Sequence, residues 1–367
     1  MTQPNALPDF LDDLGKRVAG NLRTDAYSRI FYSTDASIYQ ARPYGVLIPK
    51  TLEDVHAAVE LAARYRVPIL PRGAGSSLVG QAVNEALVID FTRHLDQVLE
   101  INAEERWARV QPGLVLDALN LRLAPLGLQF GPDPASSNRA TLGGIASNNA
   151  TGAHSILYGM TADHVLEMDV ILSDGTRTRF GPLEGDEPGR YATQPGRVGV
   201  VYRRVAEIAR EGAEVIRAGT PRHWRRCGGY NLDRFVTGPS FKTPPDPRFN
   251  LAKLVSGAEG TLAVITGIKL NLVPRPAKTA LGIVHFDNLY EALSAVPAIL
   301  EVGPSAVELL DNLGLTRCRE VPAYARLLSA FIEGEPNCVL ITEFYGESEA
   351  ALKGKMQGLA AHLKRQR

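Results

Sequence analysis

The chain has 367 residues, 45% hydrophobic and 22% charged, which is ordinary globular usage and excludes a disordered or low-complexity polypeptide. Forty basic residues against forty acidic ones give zero formal charge, which argues against a dedicated nucleic-acid binder. No apolar run approaches the roughly 18 residues that cross a bilayer, and the start, MTQPNALPDFLDDLGKR, lacks a basic segment followed by an apolar one. A cytoplasmic protein is therefore expected, with the periphery of the inner membrane as the other location. Cys227, Cys318 and Cys338 are too widely spaced for a disulfide framework or a CxxC metal or cluster motif, so no metal site is expected.

Residues 1–41 read as an N-terminal arm with one amphipathic helix near Phe10 to Val18. From Arg42 the pattern is regular. Gly45 to Pro49 is a short apolar strand, Thr51 and Asp54 form a capping-box pair ahead of a helix, and Val67 to Leu70 is a second strand. Leu87 to Phe91 is a strand, Val98 to Ile101 and Trp107 to Val110 form a hairpin, and Leu114 to Ala124 has helical spacing. Val165 to Leu172 and Thr176 to Phe180 flank Asp174-Gly175, a strong hairpin turn, and Val198 to Ala209 is helical. Pro274 and Pro276 mark a boundary. Beyond it come a strand (Leu281 to Phe286), a helix (Leu289 to Leu300), a strand (Ala306 to Leu310), further helices, a strand (Cys338 to Phe344) and a last helix from about Glu347 to the end.

Three glycine-rich stretches punctuate this layout. PRGAGSSLVGQA follows a strand, where glycine lets backbone N–H groups converge on an anion. It is not the GxGxxG fingerprint, because Leu78 stands where the third glycine belongs and a strand follows instead of a helix. It is not a P-loop either, since Gln81 and Ala82 replace the Lys and the Ser/Thr after Gly80. A plain structural turn is the competing reading. In the second stretch, TLGGIASNNATG, Gly143 and Gly144 open a short helix whose free N–H groups and dipole suit a pyrophosphate, and Asn148 and Asn149 add amide groups. The third, SGAEGTLAVIT, is a tight turn leading into an apolar strand. Two separated cradles imply a long ligand between two subdomains.

With VLIPKTLEDV (Val46 to Val55), GPDPASSNRATLGGIASNNATG (Gly131 to Gly152), YGMTADHVLEMDVILSDG (Tyr158 to Gly175) and SGAEGTLAVIT (Ser256 to Thr266) beside PRGAGSSLVGQA, the chain resembles FAD-linked oxidases and dehydrogenases of the vanillyl-alcohol-oxidase type. The branch it is most similar to holds the D-lactate, glycolate and D-2-hydroxyglutarate dehydrogenases. The resemblance implies an α+β chain: a PCMH-type FAD-binding domain of two α+β subdomains over residues 42–277, then an incomplete ferredoxin-like α+β substrate cap over 278–367. Carried over by motif, Pro71, Arg72, Gly73, Ala74, Gly75, Ser76 and Ser77 would cradle the pyrophosphate through backbone groups, with Gln81 near the cofactor. Pro132, Asp133, Thr141, Gly143, Gly144, Ser147, Asn149 and Gly152 would hold the diphosphate and flavin side, and Tyr158, Gly159 and Val165 would line the cofactor. Glu259, Gly260, Val264 and Ile265 would complete the adenine or ribityl contacts.

Some relatives tether FAD through a His in the first loop. This loop has neither His nor Cys, so non-covalent FAD is expected, and His154 is read as an ordinary loop histidine rather than an alternative tether. Arg225 and Arg226 are candidates for gripping a substrate carboxylate, against the plain reading of a solvated basic turn, and Cys227 beside them has no visible activating base. No catalytic base is named. The family's late His-rich motifs are not in these residues, which reads as a truncated chain or a subunit completed by a partner chain. The expected activity is oxidation of a small D-2-hydroxy acid, with electrons passed to a quinone, a cytochrome or a separate iron–sulfur domain. The alternative is a flavin-binding fragment without turnover of its own.

Overall fold

The structure, a computed structural model, describes residues 6–236 and 248–366. The first residues of the predicted N-terminal arm and the last residue of the chain lie outside these. Two compact units divide the chain: Met1–Gly152 with Tyr158–Val273, and Ala153–Leu157 with Pro274–Arg367.

The first unit contains two sheets. One has the strands Asn21–Arg23, Gly45–Ile48, Leu87–Asp90 and Ile69–Arg72 in that spatial order, the last three mutually parallel. Gly45–Ile48 and Leu87–Asp90 are buried at every residue, which is why they read as unbroken apolar runs rather than alternating ones. The helix Leu52–Tyr65 starts at the capping box: Thr51 Oγ1 accepts from Asp54 N at 3.3 Å, and Asp54 Oδ2 accepts from Thr51 N at 3.2 Å. Asp54 Oδ1 also accepts from Ala19 N at 2.7 Å, which ties the N-terminal segment to this cap. The arm is thus part of the fold. Its helix Ala6–Arg17 buries Phe10 and Leu14 against Val55, Ala58 and Ala62.

The second sheet is antiparallel throughout, in the order Val98–Asn102, Trp107–Val110, Val264–Asn271, Val165–Ile171, Arg177–Phe180. Ile268 sits between Val110 and Met168, all three inaccessible to solvent. The helices Leu116–Leu123 and Gly196–Glu211 supply Leu119, Leu123 and Tyr202 to the same core. Across its central strand Val264–Asn271, Arg109 binds Glu167 and Asp169, and Lys269 of that strand approaches Glu167 at 3.4 Å. Burial alone would raise the Glu167 pKa; the Arg109 and Lys269 contacts outweigh it and hold it below the ordinary value.

The second unit is a three-stranded antiparallel sheet in the order Lys278–Phe286, Cys338–Gly346, Ala306–Leu310. The strand last in sequence lies between the other two, the split β-α-β arrangement of ferredoxin-like folds. The helices Leu289–Glu301 and Glu349–Gln366 pack Ala292, Ile299, Leu352 and Leu359 onto Cys338, Leu340 and Phe344. His362 in the last helix meets Glu301 at 3.0 Å, a partner that its sequence neighbourhood does not show.

Candidate functional site

Strand Ile69–Arg72 delivers the chain into the first glycine loop. Gly75 and Gly80 take left-handed φ values of 66° and 87°, which a side chain would resist. The Arg72 side chain does not serve this loop's anion function. Its Nη1 donates to Ala82 O at 2.7 Å and Tyr32 O at 3.3 Å, and its Nη2 donates to Thr34 O at 2.8 Å. Arg72 thus staples the N-terminal segment across the loop, and Ala36 N adds a hydrogen bond to Gly75 O at 3.0 Å. What the loop offers a ligand is backbone, with the Ser76 and Ser77 side chains.

The second motif forms the helix Leu142–Asn148, with Thr141 as its N-cap. Gly143 lies against Pro112: a Cβ there would sit 2.6 Å from the proline ring and 2.9 Å from its carbonyl oxygen. A Cβ on Gly73 would sit 2.1 Å from Thr141 Oγ1, so the first two glycine motifs touch, and only glycine permits it. Asn149 turns inward as a brace, its Oδ1 accepting from Ala162 N at 2.8 Å. The third motif closes on the second. Gly257 N donates to Ala146 O at 3.0 Å and Glu259 N to Ser147 O at 2.9 Å. Glu259 and Gly260 are both left-handed, at φ 51° and 80°. The Glu259 carboxylate accepts from Gln81 Nε2 at 3.0 Å and from Asn148 Nδ2 at 3.1 Å, which joins all three motifs.

They enclose a cavity of about 610 Å³ in the first unit. Pro71, Arg72, Gly73, Ala74, Gly75, Ser76, Ser77, Gln81, Thr141, Gly143, Gly144, Ser147, Asn149, Glu259, Gly260 and Ile265 all line it. Pro132, Asp133, Gly152, Tyr158, Gly159, Val165 and Val264 do not. Val165 and Val264 are core residues. A Cβ on Gly152 would sit 1.9 Å from Asp133 O, so Gly152 backs that turn. Gly159 O accepts from Thr151 Oγ1 at 3.2 Å, and Tyr158 O pairs with His164 Nε2 at 2.8 Å. Burial holds the His164 pKa below the ordinary histidine value. Sequence reasoning missed Leu78, Val79, Phe91, Pro112 and Met160 in the lining. Leu78 and Val79 lie inside the first motif and were within reach; Pro112 arrives only through the backbone bond from Gly143 N to its oxygen, 2.8 Å.

Arg225, Arg226 and Cys227 line the same cavity. Arg226 is committed to the buried Asp233 carboxylate. Arg225 is exposed and makes no ion pair among the described residues. His154 belongs to the second unit, where its Nε2 meets Glu343 Oε1 at 2.7 Å and its ring stacks on Tyr345 at 5.4 Å. Glu343 is braced by Ser305 Oγ at 2.7 Å.

The cavity fits an extended dinucleotide. Its lining includes Gly73, Gly75, Gly143, Gly144 and Gly260, of which Gly73 and Gly143 leave no space for a Cβ against Thr141 and Pro112, and no lysine lines it among the described residues. Gln81 Oε1 is buried and accepts no hydrogen bond among the described residues. Residues 43–181 match the FAD binding domain, and residues 275–366 match the C-terminal domain of FAD linked oxidases. The chain belongs to the FAD-linked oxidase family. Among curated members, the D-2-hydroxyglutarate dehydrogenase of Escherichia coli (strain K12) is 33% identical over 365 residues, covering 97% of this chain and 35% of that protein. The glycolate oxidase subunit GlcD of Escherichia coli (strain K12) is 29% identical, covering 80% of this chain and 48% of that protein. The chain thus spans about a third of the length of the D-2-hydroxyglutarate dehydrogenases it matches. In fold it is similar to p-cresol methylhydroxylase with substrate bound (TM-score 0.68, 14% identity, 99% of this chain, 65% of that one). It is also similar to alkyldihydroxyacetonephosphate synthase (TM-score 0.66, 21% identity, 98% and 59%). No helix among the described residues is long and apolar enough to cross a membrane.

Proposed function

We propose that the chain supplies the cofactor-binding and C-terminal domains of an FAD-dependent dehydrogenase acting on a small D-2-hydroxy acid of the D-2-hydroxyglutarate, D-lactate or glycolate class. The observation that carries this reading is the convergence of three glycine motifs on one cavity, in a chain 33% identical to a D-2-hydroxyglutarate dehydrogenase. FAD, when bound, supplies the two-electron acceptor. The chain's own residues do the rest. Backbone N–H groups of Gly73 to Ser77 hold the diphosphate without a covalent bond, with Gly143 and Gly144 lining the cavity beside them. Ile145 and Ile265, both buried, close the cavity wall to water. Arg225, an unpaired fork of donors at the cavity, grips the substrate carboxylate. Electrons pass to a quinone, a cytochrome or a separate iron–sulfur domain.

The test is anaerobic. Purified protein loaded with FAD receives D-2-hydroxyglutarate, D-lactate and glycolate in turn, and loss of the flavin's visible absorbance with one of them is expected. Absorbance that survives all three refutes the substrate class. A protein that takes up no FAD refutes the cofactor site itself.

A further inference from the structure

Between the helix Ala213–Gly219 and the short helix Leu232–Phe235 runs a segment with neither helix nor strand, residues 221–230. None of it is buried, and within it Trp224 and Arg226 alone are partly so, yet Arg225, Arg226 and Cys227 line the cavity. At Gly228 and Gly229 a Cβ would meet no atom within 4 Å, and Gly229 is left-handed at φ 78°. The foot of the segment is built differently. Asn231 and Asp233 are buried, Asn231 Nδ2 donates to Ser256 O at 2.8 Å, and Arg234 meets Asp163 at 2.7 Å. Two side chains latch the segment down. Arg226 Nη2 donates to the Asp233 carboxylate, with 14% and 6% of the two side chains exposed. Thr261 Oγ1 donates to Ala258 O at 2.6 Å, which spends its one proton, so Tyr230 is the donor in its 3.0 Å bond to Thr261. Thr261 follows Glu259 and Gly260, which line the cavity, so this latch ties the segment to the third glycine motif. The other walls are locked by main chain: Gly143 N to Pro112 O, Gly257 N to Ala146 O and Glu259 N to Ser147 O. Parting them would break backbone hydrogen bonds, whereas both latches are side-chain contacts on an exposed segment.

We infer that residues 221–230 are a latched strap that opens on its buried foot to admit and release the dinucleotide, with Asp233 and Tyr230 as the positioning residues that hold it shut. This rests on the FAD reading. Both partners of each latch belong to the chain, so the strap is held in the same way before FAD enters and after it is bound. A weaker latch therefore favours the open form against both closed ones. Entry and exit speed up together, and Kd stays nearly constant.

The full apo-chain is mixed with FAD in a stopped-flow fluorimeter, dissociation is followed on dilution, and the Tm of each variant is recorded alongside. Neither Tyr230 nor Asp233 lines the cavity. Tyr230→Phe removes one hydroxyl from a half-exposed ring and should raise both FAD rates about fivefold at an unchanged Tm. Asp233→Asn removes the charge that Arg226 answers and should raise both about tenfold. A second readout needs no FAD. Trypsin should cut after Arg225 faster in each variant by a similar factor, because cutting tracks the opened population. Faster dissociation alone, with Kd weakened to match, overturns the inference, since the segment would then be fixed wall. So do FAD rates and cutting that stay within about twofold of wild type in both variants. Either result leaves the function above intact. A wild-type chain that takes up no FAD removes the function reading and this inference together.

Discussion

At Gly73 there is space for a hydrogen and nothing larger, because a Cβ would sit 2.1 Å from Thr141 Oγ1. Gly73→Ala should therefore destabilise the fold by about 1–3 kcal/mol through overpacking. Thr141→Ala removes the offending oxygen, although its own Cβ carbon remains 3.3 Å from that position. The double variant should then be more stable than the sum of the singles by about 0.5–3 kcal/mol, measured by denaturant unfolding; strict additivity would mean that the two motifs do not meet there. Arg225 is a different kind of residue, exposed and uninvolved in the fold. Arg225→Met should raise KM for the hydroxy acid about tenfold or more, with Arg225→Lys recovering only part, because the forked geometry is lost. FAD affinity should be unchanged; a loss of FAD instead would move Arg225 to the cofactor. The glycines were legible in the sequence because close approach leaves a local mark. The pairing of Gln81 with Glu259 across 178 residues, and of His154 with Glu343 across 189, leaves none. Nor does the sequence tell Arg225 from Arg226, since what separates them is the position of Asp233 in space.

Among the elements, the segment that carries Arg225 is held by the short helix Leu232–Phe235. Arg234 meets Asp163 at 2.7 Å with both side chains almost inaccessible, 4% and 0% exposed. Asp163 Oδ2 also accepts from Met160 N at 2.8 Å, at the start of the helix Thr161–His164. Leaving one buried charge without its partner costs about 3–5 kcal/mol. Arg234→Met should lose that much stability in urea, and pairing it with Asp163→Leu should restore part. If Arg234→Met costs under about 1 kcal/mol, the pair is behaving like an exposed one. Elements of this kind were the hard ones to foresee. The strands Gly45–Ile48, Leu87–Asp90 and Val165–Ile171 announce themselves by apolar runs and turn residues. Asn21–Arg23 is a three-residue strand only because Gly45–Ile48 offers it an edge, so tertiary pairing decides it. The helices Ala26–Phe31 and Ala213–Gly219 bury no residue, and lack the apolar stripe that would have marked them.

For the molecule as a whole, the two units carry separate reporters and separate acid sensitivities. Trp107 and Trp224, the two tryptophans, both belong to the first unit, so tryptophan emission follows that unit while circular dichroism follows both. In the second unit, burial would raise the Glu343 pKa, but hydrogen bonds from His154 and Ser305 outweigh it and hold it below the ordinary carboxylate value. A folded-state pKa below the unfolded one means that the unfolded chain binds the proton more readily. The stabilisation is therefore present above the unfolded carboxylate pKa and fades as pH falls through the folded one. Glu343→Gln keeps an acceptor for Ser305 but removes the charge, and should cost about 1 kcal/mol near neutral pH, with the deficit shrinking in acid. FAD acts on the other unit: at a hundredfold excess over its Kd it adds about 2.7 kcal/mol to whatever binds it. Melting curves should then separate the two effects, with FAD raising the transition seen by tryptophan emission and Glu343→Gln lowering the one seen only by circular dichroism. If Glu343→Gln shifts the emission transition by as much as the dichroism transition, the two units melt as one cooperative body, and FAD should then protect both.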